Sequence, residues 1–212
     1  MLKGFYLPLF LILSISFSFS QEKILFVGHA YGNPNLKDKK LDSSLINFLN
    51  VNKNDKIIYG GDFIYDIKDT IEIKNFLKFN SKFNYVLIPG NHDVGIKFLN
   101  HQKTRFEQIN NNLLIYLNTN FNSTTEILKV VEEIKNEINK DYKNILIFSH
   151  QLFYFKSIFD IGTNSIDNYD LSNEFNNQIV KFLKESNKEV FIYSGHIGAF
   201  KYIPYLYSIS KK

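Results

Sequence analysis

The sequence predicts an α/β protein in which helices cover a β-sheet. Six short runs rich in Ile, Val, Leu, Phe and Tyr have the length and composition of buried strands. Segments with apolar residues at helical spacing lie between most of these runs. This alternation favours a covered α/β sheet over a helical bundle or a β-sandwich. In addition, several predicted strands end in a turn that carries His, Asp or Asn.

Each predicted element follows from a local pattern. The strands are predicted at residues 23–28, 56–59, 83–88, 113–117, 144–148 and 189–193, and the aromatic-rich residues 199–210 are predicted to be extended. Helices are predicted to begin near Asp42, at Asp69 or Thr70, at the capping box Ser123–Glu126, and near Leu171. The weakly periodic residues 94–112 are predicted to form a loop with at most one helical turn, and residues 151–170 a second long loop.

Composition limits the classes of protein that fit. The chain has 212 residues, of which 44% are hydrophobic and 22% charged, as expected for one globular domain with a sizeable core. The net charge of +4 is scattered, and no basic run or aromatic-basic stripe indicates a nucleic-acid surface. Cysteine is absent, so any metal ion must be held by His, Asp, Asn or Glu.

The N-terminus has the pattern of a signal peptide. Lys3 precedes an apolar run over residues 5–19, and Ser18 and Ser20 are small residues placed for cleavage before Gln21. The alternative is an uncleaved membrane anchor, but the run is shorter than the roughly 20 apolar residues that a spanning helix needs. We therefore expect a signal peptide over residues 1–20 and a mature domain over 21–212. The mature protein would have no stable membrane anchor and would be exported, periplasmic or secreted.

The stretch from Lys82 to Asp93 combines a predicted strand with a chemically active turn. The apolar run is stopped by Pro89-Gly90, and the turn presents Asn91, His92 and Asp93 at the carboxyl end of the strand. Sites in open α/β sheets form at this edge. The alternative is an ordinary solvated turn, because Asn, Asp and Gly are common turn residues.

Other predicted strands end in the same way, which favours a site. The residues that follow strand ends include His29, Asp62, His150 and His196. With His92, four of the five histidines belong to this set, and the fifth, His101, is predicted to lie on a surface loop. Four histidines at equivalent places are hard to explain by packing. Imidazole, carboxylate and amide oxygen together suit a divalent ion such as Zn, Mn, Fe or Ni.

The order of these motifs resembles that of the calcineurin-like metallophosphoesterase family over nearly all of the mature chain. Four segments resemble the second to fifth family motifs in order: Gly61-Asp62, Gly90-Asn91-His92-Asp93, Ser149-His150 and Gly195-His196. The first family motif reads Asp-x-His, and His29-Ala30-Tyr31 stands at its position in this chain. The resemblance implies a calcineurin-like four-layer αββα sandwich. Its second sheet would be shortened, because the chain ends soon after the fifth motif, and residues 199–210 would supply one strand.

The resemblance also implies a role for each matching residue. Asp62 would bridge two metal ions, and the second metal site would be completed by Asn91, His150 and His196. His92 would be the acid that protonates the leaving oxygen, and Asp93 would orient its ring. One or two divalent ions (Mn, Fe, Zn or Ni) are implied as cofactors.

The first metal site departs from the family pattern. Its ligand positions hold His29, Tyr31 and Gly198. His29 can bind a metal, Tyr31 is a poor ligand unless the metal ionises it, and Gly198 has no side chain to offer. The second site is therefore complete and the first depleted, and with one metal Asp62 would be a terminal ligand.

The predicted function is hydrolysis of a phosphomonoester or phosphodiester by metal-activated hydroxide, with His92 as general acid. The substrate would be a small-molecule or glycan phosphoester, contacted by Tyr31 and Asn91. One alternative is a non-catalytic or weakly active relative that binds metal and a phosphorylated or sugar ligand. Another is a structural secreted domain whose histidines are incidental.

Overall fold

A computed structural model describes residues 22–28, 30, 41–64, 66–96, 99, 103–151, 169–195 and 207–209. Its strands are β1 Ile24–Val27, β2 Lys56–Tyr59, β3 Tyr85–Leu87, β4 Arg105–Ile109, β5 Asn112–Leu117, β6 Asn144–Ser149, β7 Glu189–Ser194 and β8 Tyr207–Ile209. Its helices are α1 Ser43–Val51, α2 Thr70–Asn80, α3 Thr124–Ile138 and α4 Tyr169–Glu185. The predicted signal peptide lies outside the described residues. Within them, no helix has the length and apolar character needed to cross a membrane.

The described strands form two sheets. One sheet has the order β1-β2-β3 and is parallel throughout. The other has the order β4-β5-β6-β7-β8, in which β5, β6 and β7 are parallel and the edge strands β4 and β8 are antiparallel to their neighbours. The carboxyl ends of the parallel strands therefore carry the loops in which the sequence places its candidate residues.

The two sheets pack face to face, and helices cover their outer faces. Buried residues of α1 and α2 pack on the three-stranded sheet, and buried residues of α3 and α4 pack on the five-stranded sheet. The space between the sheets is filled by Ile58, Ile88, Leu114, Tyr116 and Phe148. The predicted four-layer αββα sandwich is therefore confirmed. The second sheet ends in β8, whose described part is only three residues long.

Three of the four predicted helix starts are confirmed by capping contacts. The Asp42 carboxylate accepts hydrogen bonds from the first turn of α1, and the Asp69 carboxylate does the same for α2. Ser123 Oγ accepts from Glu126 N at 3.2 Å at the start of α3. The Glu126 carboxylate accepts from Asn122 N at 2.9 Å, so the reciprocal contact of this capping box goes one residue upstream of the cap.

Strand β4 corrects the prediction that residues 94–112 form a loop. Its sequence, Arg-Phe-Glu-Gln-Ile, has too few apolar residues to stand out as a strand. It forms because it pairs with the strongly apolar β5 across a tight turn at Asn110, whose φ is 53°.

Polar side chains of β4 and β5 join the two sheets at one place. Lys56 on β2 forms an ion pair with Glu107 on β4, and Tyr116 Oη on β5 donates to Glu107 Oε2 at 2.6 Å. Arg105 Nη2 donates to Leu87 O of the other sheet at 3.0 Å. Partial burial raises the pKa of Glu107, but the hydrogen bonds from Lys56 and Tyr116 outweigh it and hold that pKa below 4.5.

We expect this ion pair to stabilise the fold above the acid range. Because the pKa of Glu107 is lower in the folded protein, its contribution is complete above the unfolded pKa and is lost as the pH falls through the folded value. Glu107→Gln should lower the free energy of unfolding by about 0.5–1 kcal/mol at about pH 7, since the carboxylate is partly exposed. The difference from wild type should shrink at about pH 3 in urea titrations.

The control for this prediction is Glu137→Gln. Glu137 pairs with Lys140, whose side chain is 57% exposed, only three residues along the chain, so its substitution should leave the free energy of unfolding almost unchanged at both pH values. An equal effect of the two variants at about pH 7 would contradict a special role for the pair between the sheets.

Candidate metal centre

Asp62 follows β2 in a turn whose backbone is left-handed at two consecutive residues. The φ angles are 87° at Gly61 and 51° at Asp62. A Cβ atom at Gly61 would lie 2.3 Å from His150 Nδ1, so only glycine lets the imidazole approach this closely. The turn buries the Asp62 side chain completely. An aspartate held in the left-handed region is unfavourable unless neighbouring structure fixes it, as happens in functional sites.

The loop after β3 is bonded directly to the Asp62 turn. Asp93 Oδ2 accepts hydrogen bonds from Asp62 N at 2.7 Å and from Gly90 N at 2.9 Å. His92 N donates to Asp62 Oδ1 at 3.1 Å. Burial raises the pKa of Asp93 from 3.8 to about 6; the Gly90 hydrogen bond opposes this shift and the Asp62 carboxylate adds to it. These contacts fix the start of the Asn91–Asp93 turn against the end of β2.

His150 follows β6 and reaches the same place from the five-stranded sheet. Its side chain is fully buried. Nδ1 lies 2.7 Å from Gly60 O, while Nε2 lies 3.0 Å from Asn91 Oδ1 and 3.3 Å from Asp62 Oδ2. The backbone of His150 is held from β7, where Ser194 Oγ donates to His150 O at 2.7 Å.

The orientation of the His150 ring makes this group of atoms suitable for a cation. A carbonyl oxygen only accepts hydrogen bonds, so Nδ1 beside Gly60 O carries the ring proton. In the neutral ring, Nε2 then has a lone pair that faces two further acceptors, Asn91 Oδ1 and Asp62 Oδ2. A divalent ion bound among these three atoms would take the place of the Nε2 proton that a charged ring would donate to the two oxygens. A histidine that binds metal through one nitrogen commonly donates the other to a backbone carbonyl, as here.

The structure therefore brings together five of the residues that the sequence selected: Asp62, Asn91, His92, Asp93 and His150. The other three, His29, Tyr31 and His196, lie outside the described residues. Within the part of the chain that the structure describes, no group of three or more His, Cys, Asp or Glu could hold a metal ion. Asp62 and His150 are only two residues of these types, and the third donor of the candidate centre is the amide oxygen of Asn91.

The predicted role of Asp93 remains a prediction. The hydrogen bonds described for its carboxylate go to the backbone of Asp62 and Gly90. Its contact with the His92 ring is not among them. Asp93 joins the loop after β2 to the loop after β3. Any effect of Asp93 on His92 would pass through the backbone of the Asn91–Asp93 turn.

Sequence reasoning missed two residues that hold these loops, Ser194 and Asn120. Ser194 ends β7 and binds the backbone of His150. Asn120 follows β5, and its side chain contacts the turn before Asn91. A signal for Asn120 was present, because the segment Asn118-Thr119-Asn120 also follows a strand in the parallel part of a sheet.

A family model described as "Calcineurin-like phosphoesterase" matches residues 34–209. The chain belongs to this family. The family's phosphoesterase activity and its use of divalent metals accord with the donor set at the strand ends. The match begins after His29 and Tyr31, so the altered first motif lies before it. No curated protein matched the chain.

Two solved structures have a limited likeness to this chain. One is a single mutant of Vps29 from Entamoeba histolytica, with 11% identity and a TM-score of 0.33 over 66% of this chain and 68% of that chain. Another is an uncharacterised predicted phosphoesterase from Streptococcus pneumoniae, with 13% identity and a TM-score of 0.31 over 64% of each chain.

Proposed function

We propose that the chain is a metal-dependent phosphoesterase whose centre is built on Asp62, Asn91 and His150. The observation that supports this most is the position of His150 Nε2, which lies 3.0 Å from Asn91 Oδ1 and 3.3 Å from Asp62 Oδ2. These donors come from the ends of β2, β3 and β6, which belong to both sheets. Such convergence at strand ends is typical of a catalytic site in an α/β fold.

The reaction requires charge neutralisation and protonation of a poor leaving group. A divalent ion held by Asp62, Asn91 and His150, together with His196, would polarise the phosphoryl group and lower the pKa of water. His29 is proposed as a ligand for any further ion. If only one ion is held, Asp62 is a terminal ligand.

The chain's own residues then supply the proton and the orientation. His92 is exposed, so it can reach a bound ester, and its backbone N–H is fixed on Asp62 Oδ1. We assign it the role of general acid toward the leaving oxygen. Asp93 keeps its turn in place through Gly90 and Asp62. Asn91 and Tyr31 are proposed to contact the phosphate oxygens.

The proposed setting is outside the cytoplasm, after removal of residues 1–20. The N-terminal pattern of a lysine, an apolar run and small residues supports this proposal. The proposed substrate is a small-molecule or glycan phosphoester. Both mono- and diesters fit the chemistry of the centre.

A second candidate function is that of a non-catalytic or weakly active relative that binds metal and a phosphorylated or sugar ligand. It is favoured by His29, Tyr31 and Gly198 at the positions where the family has the ligands of its first site. A protein of this kind would bind metal through the second site and show no turnover with any divalent ion.

The test is hydrolysis of aryl phosphate and bis-aryl phosphate by the metal-stripped full chain during titration with Mn, Zn, Ni and Fe. We expect metal-dependent turnover that falls at least about 100-fold in Asn91→Ala, because an amide ligand is lost. The matched control is Asn136→Ala, at an exposed position of helix α3. Its turnover should equal that of wild type. Metal binding without turnover would favour the second candidate, and turnover unaffected by Asn91→Ala would contradict this assignment.

A further inference from the structure

The loop of residues 118–120, which follows β5, contacts both halves of the candidate metal centre. On one side, Asn120 Nδ2 donates to Pro89 O at 3.1 Å and to Gly90 O at 3.3 Å. These two carbonyls immediately precede Asn91 and belong to the loop of the three-stranded sheet. Asn120 lies in the loop after β5 of the five-stranded sheet, so its side chain joins a loop of one sheet to a loop of the other.

On the other side, the same loop touches the residue after His150. Thr119 is buried, and its Oγ1 lies 3.4 Å from Gln151 N, which donates to it. Asn118 Oδ1 accepts from Asn120 N at 2.9 Å and so fixes the backbone from which the Asn120 side chain extends. The loop is thereby hydrogen-bonded to the backbone just before Asn91 and just after His150. The Asn91 Oδ1 and His150 Nε2 atoms of these two residues lie 3.0 Å apart.

We propose that Asn120 is a positioning residue, which sets the placement of Asn91 and His92 relative to His150. Both atoms that its side chain faces are carbonyl oxygens, so the side chain must present N–H donors there. Asparagine supplies two such donors from one nitrogen. Aspartate has the same shape and no donor, so it would place an anion against the two carbonyl oxygens. The catalytic part of this proposal rests on the proposed function, whereas the structural part does not.

The test compares Asn120→Asp with Asn122→Asp, which makes the same charge change two residues along, at an exposed position whose side chain contacts Glu126. In Asn120→Asp, we expect the affinity for Mn to fall about 10- to 100-fold, as for other residues that orient metal ligands. We expect kcat to fall by a similar factor while KM changes less than about threefold, because the chemical step loses alignment and the binding surface remains. Asn122→Asp should leave all three quantities within about twofold of wild type.

A readout without metal or substrate separates this proposal from the proposed function. Amide hydrogen exchange over residues 89–93 of the metal-free protein should be faster in Asn120→Asp and unchanged in Asn122→Asp. If Asn120→Asp does not fold, Asn120→Ser keeps one donor and should show the same local increase in exchange. Equal exchange and equal metal affinity in the Asn120 and Asn122 variants would overturn the proposal. A wild-type chain without turnover would contradict the proposed function, and the exchange result would still decide the role of Asn120.

Discussion

We expect His92→Gln to reduce phosphoester hydrolysis about 100- to 10,000-fold without weakening metal binding. The reason is that His92 is assigned to protonate the leaving oxygen, while the metal is assigned to Asp62, Asn91 and His150. The loss should be greater for an alkyl phosphate than for a nitrophenyl phosphate, because nitrophenolate leaves readily without a proton. Kinetics with a series of leaving groups would measure this difference.

The control for this experiment is His101→Gln, the same substitution at the one histidine that the sequence assigns to a surface loop. It should change neither the rate nor its dependence on the leaving group. The exposure of His92 makes a loss of stability small, so the free energy of unfolding of His92→Gln should stay close to that of wild type. An equal loss of rate for both leaving groups would contradict the role of general acid.

The second large effect is expected at Gly195, where the ends of the two sheets touch. A Cβ atom at Gly195 would lie 1.9 Å from Gly60 O, and one at Gly28 would lie 2.4 Å from Gly195 O. These are backbone atoms, which cannot rotate away as a flexible side chain can. Gly195→Ala should therefore separate the sheet ends and lower the free energy of unfolding by more than about 3 kcal/mol, or prevent folding.

Gly95→Ala provides the comparison for this second prediction. Gly95 is exposed, with φ at 108°, and its added Cβ would meet only the flexible end of Ile67. We expect a cost of about 1–2 kcal/mol from backbone strain alone. Chemical denaturation would measure the free energy of unfolding of both variants. A Gly195→Ala protein as stable as Gly95→Ala would contradict the direct contact of the sheets at this edge.

The sequence was sufficient for those parts of the fold and site that depend on local pattern. The strand at residues 56–59 and the caps at Asp42, Asp69 and Ser123 were predicted because apolar runs and capping side chains act within a few residues. That Asp62 and Asn91 lie together could be expected because the carboxyl ends of parallel strands share an edge, whereas His150 joins them from the other sheet. The four layers were predicted through the family resemblance.

The features that sequence reasoning missed depend on contacts between distant segments. Strand β4 is polar, and its place is set by pairing with β5 and by the contacts of Arg105 and Glu107 with the other sheet. The place of Asn120 after β5 makes it a candidate, but its two carbonyl partners follow only from the packing of the two loops. The hydrogen bonds of Asp93 to two backbone N–H groups likewise arise only when the ends of β2 and β3 lie side by side. Local propensity carries no information about such contacts.

The most direct test of the metal centre is the number of metal ions that the chain retains. The full chain would be stripped of metal, loaded with Zn or Mn, freed of excess ion by gel filtration and measured by elemental analysis, alongside Asn91→Ala and Asn136→Ala. We predict about one ion per chain for wild type and Asn136→Ala, and clearly less for Asn91→Ala. A second ion in wild type would mean that His29 completes the first site. No retained metal, or equal retention in all three proteins, would contradict a centre built on Asp62, Asn91 and His150.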